Sequence, residues 1–343
     1  MKSFTSYKFA FLLLFLVLIL FLTINISYGS VNIPFKDIFT SIFKNEATKE
    51  TWNYIVLNYR IPKAITAILV GSGLAISGLL MQTLFRNPLA GPYVLGISSG
   101  ASLGVAILIL GSSMLGGSFL IMAQSSIFLS IASSVGSFMV LFAVMIVAKQ
   151  VKNTMTILII GLMFSSLTAA IISVLAYFSS AENLQQYLFW SFGSLGNLTW
   201  NEILIFTIIT FAGVILILPT LKPLNSLLLG ENYAKSVGIN FNRTRNIILV
   251  ATSLLTGVIT AFSGPIAFIG LATPHITKII FNTSNHKLLI PAVALIGAIM
   301  MLISDTIAQL PNSEFTLPIN AITSLFGAPV VIWLLLRKKK LIL

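Results

Sequence analysis

The chain has 343 residues, of which 57% are hydrophobic and only 8% charged, with a mean hydropathy of +1.01; this excludes an ordinary water-soluble globule and describes a polytopic membrane protein. Its formal charge of +12 could suit nucleic acid, but the basic residues stand at the ends of apolar runs, where membrane topology places them. Cysteine is absent, which excludes a disulfide framework and a thiolate metal site.

The first apolar stretch, Phe9 to Ile26, is longer than a signal-peptide core and lacks a clear small-residue cleavage site, so it reads as an uncleaved first span. In all, stretches long enough for a hydrocarbon core about 30 Å thick lie near residues 9–27, 64–84, 92–110, 121–148, 155–178, 202–219, 247–262, 265–281, 288–310 and 317–336. The expected fold is all-α, a single transmembrane domain over residues 1–343 with about ten helices, an outer loop at 28–60 and a cytoplasmic loop at 222–245. Ten spans put both termini on one side. With that side cytoplasmic, its segments carry Lys2, Lys8, Arg86, Lys149, Lys152, Lys222, Lys235, Arg243, Arg245, Lys278, Lys287 and Arg337 to Lys340 against one acid, Glu231. The opposite side holds Asp37, Glu46, Glu50, Glu182, Glu202 and Glu314, together with the remaining basic residues, all of which cluster between Lys36 and Lys63. That asymmetry orients the chain by the positive-inside rule.

The second and third spans are dense in small residues, including Gly71, Gly73, Ala75, Ser77 and Gly78, then Gly96, Gly100 and Gly104 spaced four apart. Such spacing lets helices approach closely, and packing is preferred here to a phosphate cradle. Between them FRNPLAGP, residues 85–92, should be a short rigid turn, because Pro88 and Pro92 forbid a straight helix. Further on, Glu182 to Trp200 offers no unbroken apolar run and carries Trp190 and Trp200, which suits irregular backbone at the outer interface.

The strongest polar interruption is Lys222 to Arg245, KPLNSLLLGENYAKSVGINFNRTR. Pro223 and Asn225 suit a helix start, and Gly230 and Gly238 suit sharp ends, so two short helices joined at Gly230 are expected. A structured loop between two spans, carrying Lys235, Arg243 and Arg245, fits a surface gripped by another protein; a solvated loop is the alternative. His275 has no second ligand at metal spacing. Asp305, in the ninth span, is expected to bond a hydroxyl or backbone group of a neighbouring helix rather than relay protons.

Residues 60–104, RIPKAITAILVGSGLAISGLLMQTLFRNPLAGPYVLGISSGASLG, resemble the signature of the FecCD-type permeases, membrane subunits of ABC importers for iron-siderophores, haem and vitamin B12. WSFGSLGNLTW resembles that family's outer segment, LLLGENYAKSVGIN its coupling loop, GPIAFIGLATPHI its eighth span and LPINAITSLFGAPVVIWLL its tenth. The resemblance covers roughly residues 10–337 and implies a type II ABC importer permease bundle. It further implies a second permease subunit, a cytoplasmic ATPase dimer and an extracytoplasmic binding protein, in a bacterial plasma membrane. No G-x-x-x-x-G-K-[ST] segment is present to hold nucleotide phosphates, so ATP hydrolysis is assigned to the partner, and no catalytic, cofactor or metal residue is expected in this chain.

By the same resemblance, the ATPase would grip Leu227, Leu228, Glu231, Ala234, Lys235 and Gly238, with Leu227 to Leu229 and Val237 as apolar anchors, Leu228 central among them, and Glu231 and Lys235 on the rim. Arg60 and Lys63 match positions that present arginines to acidic residues of the binding protein; lysine at the second keeps the charge but loses the bidentate fork, and interfacial snorkelling is the alternative. Asn153 and Thr154, between the fourth and fifth spans, would narrow the cytoplasmic end of the pathway. Two other classes compete: a proton- or sodium-coupled secondary transporter, for which Asp305 is the sole clear candidate at mid-membrane, and an intramembrane enzyme, for which neither an H-E-x-x-H pair nor a deep serine–histidine pair is evident.

Overall fold

The computed structural model describes residues 4–112, 122–151, 154–309 and 315–336. These are helical, with no strand among them. Seven stretches are long and apolar enough to cross a membrane: Tyr7–Ser27, Glu50–Phe85, Ser126–Val147, Met155–Tyr177, Trp200–Leu227, Phe241–Ser263 and His286–Ala308. Three shorter apolar helices, Ile97–Ile109, Ile269–Phe281 and Ile319–Trp333, fall on the third, eighth and tenth expected spans. The third and eighth are short for a local reason. Gly96 turns left-handed (φ 74°) after a tight turn at Pro92–Leu95, and Phe268 takes a positive φ of 66° immediately before Ile269, so the α-helix starts late in each.

The described residues form two compact units: one comprises the chain up to Leu79, Ser194–Ile208 and the residues from Ala267 onward; the other comprises Leu80–Gly193 and Ile209–Ile266. In the first lie α1 (Phe4–Ser27), α2 (Phe35–Lys44), α3 (Glu50–Ile55) and the start of α4 (Ile61–Phe85), followed much later by α13 (Ile269–Phe281), α14 (His286–Ala308) and α15 (Ile319–Leu336). Leu14, Phe281, Ala292, Ile296 and Ile299 make an apolar cluster between α1, α13 and α14. Helices α4 and α14 meet backbone to backbone. A Cβ at Gly71 would overlap the carbonyl of Gly297, and one at Gly297 would overlap that of Gly71, so both positions require glycine.

The second unit contains α5 (Ile97–Ile109), α6 (Ser126–Gln150), α7 (Thr154–Tyr177) and α8 (Ala181–Ser191). The expected four-residue glycine spacing works here: a Cβ on Gly100 would strike the Gly136 carbonyl, and one on Gly104 the Ala132 carbonyl. The turn after α4 begins at Arg86, which has a positive φ of 47°, and Asn87 Oδ1 accepts the Leu89 amide at 2.9 Å. The stretch expected to be irregular from Glu182 is instead helical to Ser191, since Ser180 caps it by accepting the Asn183 amide. Irregular backbone is confined to the residues around Gly193 (φ 76°).

Candidate functional site

After α9 (Trp200–Ile217), Pro219 tightens the chain into a turn at Leu218–Thr220, and α10 (Leu221–Leu227) and α11 (Glu231–Ser236) follow. They are the two short helices expected, hinged at Gly230, whose φ of 111° is open to glycine and strained for a side chain. Gly238, at φ 84°, ends the second. The polar loop is shorter than its sequence suggests. Asn240 caps α12 (Phe241–Ser263) by accepting the Arg243 amide at 3.0 Å, so Arg243 and Arg245 ride on the first turns of a long helix rather than in a loop.

Burial divides the residues assigned to this segment. Leu224, Leu227 (3% exposed) and Ala234 are buried, and hold the two short helices to their own unit. Leu228 is half-buried. The side chains that reach outward are Leu229 (65% exposed), Tyr233 and Val237. Gly238 is open as well: a Cβ there would meet nothing within 4 Å. Thus two of the expected grip residues, Leu227 and Ala234, point the other way, because a helix of one or two turns must bury one stripe to be stable at all. Glu231 and Lys235 form an i,i+4 ion pair of 2.6 Å, and the Lys235 ammonium lies 5.5 Å from the centre of the Phe241 ring. The segment thus exposes apolar Leu229, Tyr233 and Val237 alongside an ion pair.

In the other unit, α3 passes into a π-helical turn, Val56–Arg60, before α4. A π-turn widens the i→i+4 ladder by one residue and re-aims the side chains that follow. Arg60 turns inward. It is only 7% exposed, and Nη1 donates to the carbonyls of Ile26 and Ser27, both at 2.8 Å, while Nη2 donates to that of Val31. Arg60 therefore closes the open carbonyls at the end of α1. Lys63 is also engaged. Its ammonium is 3.1 Å from Asp305 Oδ1, whose other oxygen accepts from Asn25 at 2.8 Å and Gln309 at 2.9 Å.

Neither cation is presented free to a partner, as expected for docking; burial and inward acceptors account for both. Asp305 correspondingly bonds an ammonium and two amides rather than a hydroxyl or backbone group. A proton- or sodium-coupled carrier would need this carboxylate available, and here its charge is matched. A cavity of about 360 Å³ adjoins the cluster, lined among others by Asn25, Tyr59, Arg60, Lys63 and Gln309.

Asn153 lies outside the described residues, and Thr154 begins α7. His275 is buried on α13, and no group of three or more His, Asp or Glu side chains among the described residues could hold a metal ion. Sequence reasoning missed Asn25 and Gln309, which carry no motif, and Tyr233, whose exposure follows only from the phase of two short helices; Leu229 and Val237, named among the expected apolar anchors, are both exposed.

Seven long and three shorter apolar helices among the described residues, interrupted by a folded two-helix segment, are the helical elements of a type II ABC importer permease. The chain belongs to the FecCD transport family, whose model matches residues 16–337. It is 33% identical over 320 residues to the hemin transport system permease protein HmuU of Yersinia pestis, covering 92% of this chain and 93% of that protein. It is 35% identical over 286 residues to the vitamin B12 import system permease protein BtuC of Salmonella paratyphi A, covering 83% and 84%. Among solved structures, an inward-facing conformation of a protein classed as a metal-chelate type ABC transporter superposes with a TM-score of 0.80 at 28% identity, covering 94% of this chain and 97% of that one. PsaBC from Streptococcus pneumoniae, at 18% identity and a TM-score of 0.54, shares the fold.

Proposed function

We propose that this chain is the membrane-spanning subunit of an importer that moves an iron-siderophore, haem or cobalamin-type molecule into the cytoplasm. A separate ATPase dimer drives it, a binding protein delivers the substrate from outside, and a second permease subunit completes the pathway. The observation that carries this reading is the family match over residues 16–337, supported by relatives named for hemin and vitamin B12 that align along most of their length. The distribution of basic residues along the sequence supports both termini and the α10–α11 segment lying on the cytoplasmic side of a bacterial plasma membrane.

On this reading Leu229, Tyr233 and Val237 seat in the ATPase, with Leu228 beside them, Gly238 allowing close backbone approach and the Glu231–Lys235 pair at the rim. Leu227 and Ala234 support that surface from within. Asn153 and Thr154 narrow the cytoplasmic exit. Arg60 and Lys63 act on the binding protein indirectly, by setting the shape of the outer ends of α1 and α4. The test is reconstitution with the candidate ATPase and binding protein, followed by ATP-dependent uptake of ferric siderophore, haem and cobalamin, each alone. Uptake of one class is expected; uptake that needs an ion gradient and no ATPase would overturn the proposal.

A further inference from the structure

Helix α2 is inside out for a helix in water. Its polar residues Asp37 and Ser41 are buried together with Ile38, while Phe35, Phe39 and Phe43 are 61%, 54% and 70% exposed and Ile42 joins them. The three phenylalanines recur every four residues, so they form one stripe along the outward face, and the rings of Phe39 and Phe43 lie 4.5 Å apart.

The orientation is held rather than incidental. Asp37 Oδ1 accepts from the backbone amide of Thr48 at 2.7 Å and from its hydroxyl at 2.6 Å, tying the inward face of α2 to the chain ahead of α3. Rolling the helix to hide its rings would break both bonds and expose Ile38. Water is therefore the wrong medium for this face, since an aromatic stripe of this size left wet forfeits the burial that phenylalanine otherwise gains.

Its setting identifies the medium. Helix α2 begins eight residues after the end of α1 at Ser27, and α1 exposes Leu12, Phe15, Leu16, Ile19 and Leu20 along the face a membrane span turns to lipid. Helix α2 also touches α1, so its apolar surface stands close to the end of that span. Exposed Lys36 and Lys44 stand at its two ends, as they do on helices that lie in a headgroup layer, where an ammonium meets phosphate while its stem crosses apolar surface. Glu46 and Glu50 lie beyond the C-terminus of α2. The exposed ring pair Tyr54 and Tyr59, with centroids 5.9 Å apart, and Trp52 beneath the Lys49 ammonium add the aromatic residues favoured at that depth.

We infer that α2 is an interfacial anchor: it lies in the plane of the leaflet at the Ser27 end of α1, with Phe35, Phe39, Ile42 and Phe43 among acyl chains and Lys36 and Lys44 on phospholipid phosphates. The occupant of the stripe is the lipid surface, not a protein. The anchor pins the 28–60 segment to the bilayer.

Because the chain has no cysteine, single sites can be labelled without background. The full-length variants Phe39→Cys and Glu46→Cys, each carrying the fluorophore NBD, are reconstituted into phosphatidylglycerol-containing vesicles with and without nitroxide-labelled phospholipid. At position 39 nitroxide lipid should quench strongly and aqueous iodide weakly; at position 46 the order should reverse, a difference in lipid-to-iodide quenching ratio of about tenfold for a face embedded in acyl chains. Iodide quenching at 39 equal to that at 46 would overturn the proposal, leaving a wet face open to the binding protein. Quenching at 39 by neither agent would overturn it as well, and would assign the stripe to a second copy of the chain. Neither outcome touches the importer reading, which is tested by uptake.

Discussion

Removing the ammonium of Lys63 tests whether the Asp305 cluster is a structural lock. At 3.1 Å, two unit charges attract by about 5 kcal/mol at an effective dielectric of 20. In Lys63→Met the buried carboxylate keeps its amide donors Asn25 and Gln309 but loses that attraction. Partial rehydration through the adjoining cavity should leave a net cost of about 3 kcal/mol, in the range for stripping one partner from a buried pair. Asp305→Asn should cost less, about 1 kcal/mol, because the Lys63 side chain keeps 20% of its exposure against 3% for Asp305 and its ammonium can reach water. The double variant Lys63→Met/Asp305→Asn should cost about 2 kcal/mol rather than the sum of about 4 kcal/mol, giving a coupling of about 2 kcal/mol. The assay is equilibrium unfolding in mixed detergent micelles for the four proteins of the cycle. Additive costs, or Asp305→Asn proving the more damaging, would refute the reasoning.

Gly71→Ala should destabilise by about 1–3 kcal/mol, typical of overpacking, since its methyl overlaps the Gly297 carbonyl; thermal unfolding in detergent reads the loss. Leu229→Asp should leave the permease folded, its side chain being exposed, yet abolish co-purification of the ATPase, whereas Leu227→Asp should fail at folding. Gly238→Trp should weaken the same association, both by bulk and by about 1 kcal/mol or more of strain at positive φ. The Thr48 bonds, chiefly that from its hydroxyl, hold the Asp37 carboxyl below the usual carboxylate range. A depressed folded value makes its contribution complete above the unfolded pKa of about 3.9 and lost as pH falls through the lower folded one. Hydrogen exchange should therefore show the Thr48 amide protected at neutral pH and released in Asp37→Ala.

The positions of ten spans were legible because each requires a long apolar run, which nothing else in the chain imitates. Their ends were not. The FNRTR start of α12 looks like loop by polarity, and only the Asn240 cap, a three-residue pattern, marks the helix. The hinge at Gly230 and the stop at Gly238 were readable from glycine alone, but which leucine faces out was not: Leu227, Leu228 and Leu229 are adjacent and identical, and only the helix phase sorts them. The partnership of Lys63 with Asp305 joins residues far apart in the chain, and no local pattern announces it. The opposite case is α2, where phenylalanine at i, i+4 and i+8 was in plain view and signals an amphipathic helix; the reading of 28–60 as an undivided loop passed over it.

The guanidinium of Arg60, which finishes the carbonyls at the end of α1, has a consequence for synthesis. Ser27 leaves the ribosome 33 residues before the side chain that completes it, roughly two to seven seconds earlier at the pace of bacterial translation. Until then the tail of the first helix must be satisfied by water or headgroups, so it cannot sink deeper than the interface. The first helix and the start of the fourth thus make a natural unit of insertion, finished only when Arg60 arrives. Nascent chains arrested before residue 60 should leave α1 frayed at its Ser27 end, and those arrested after it should not.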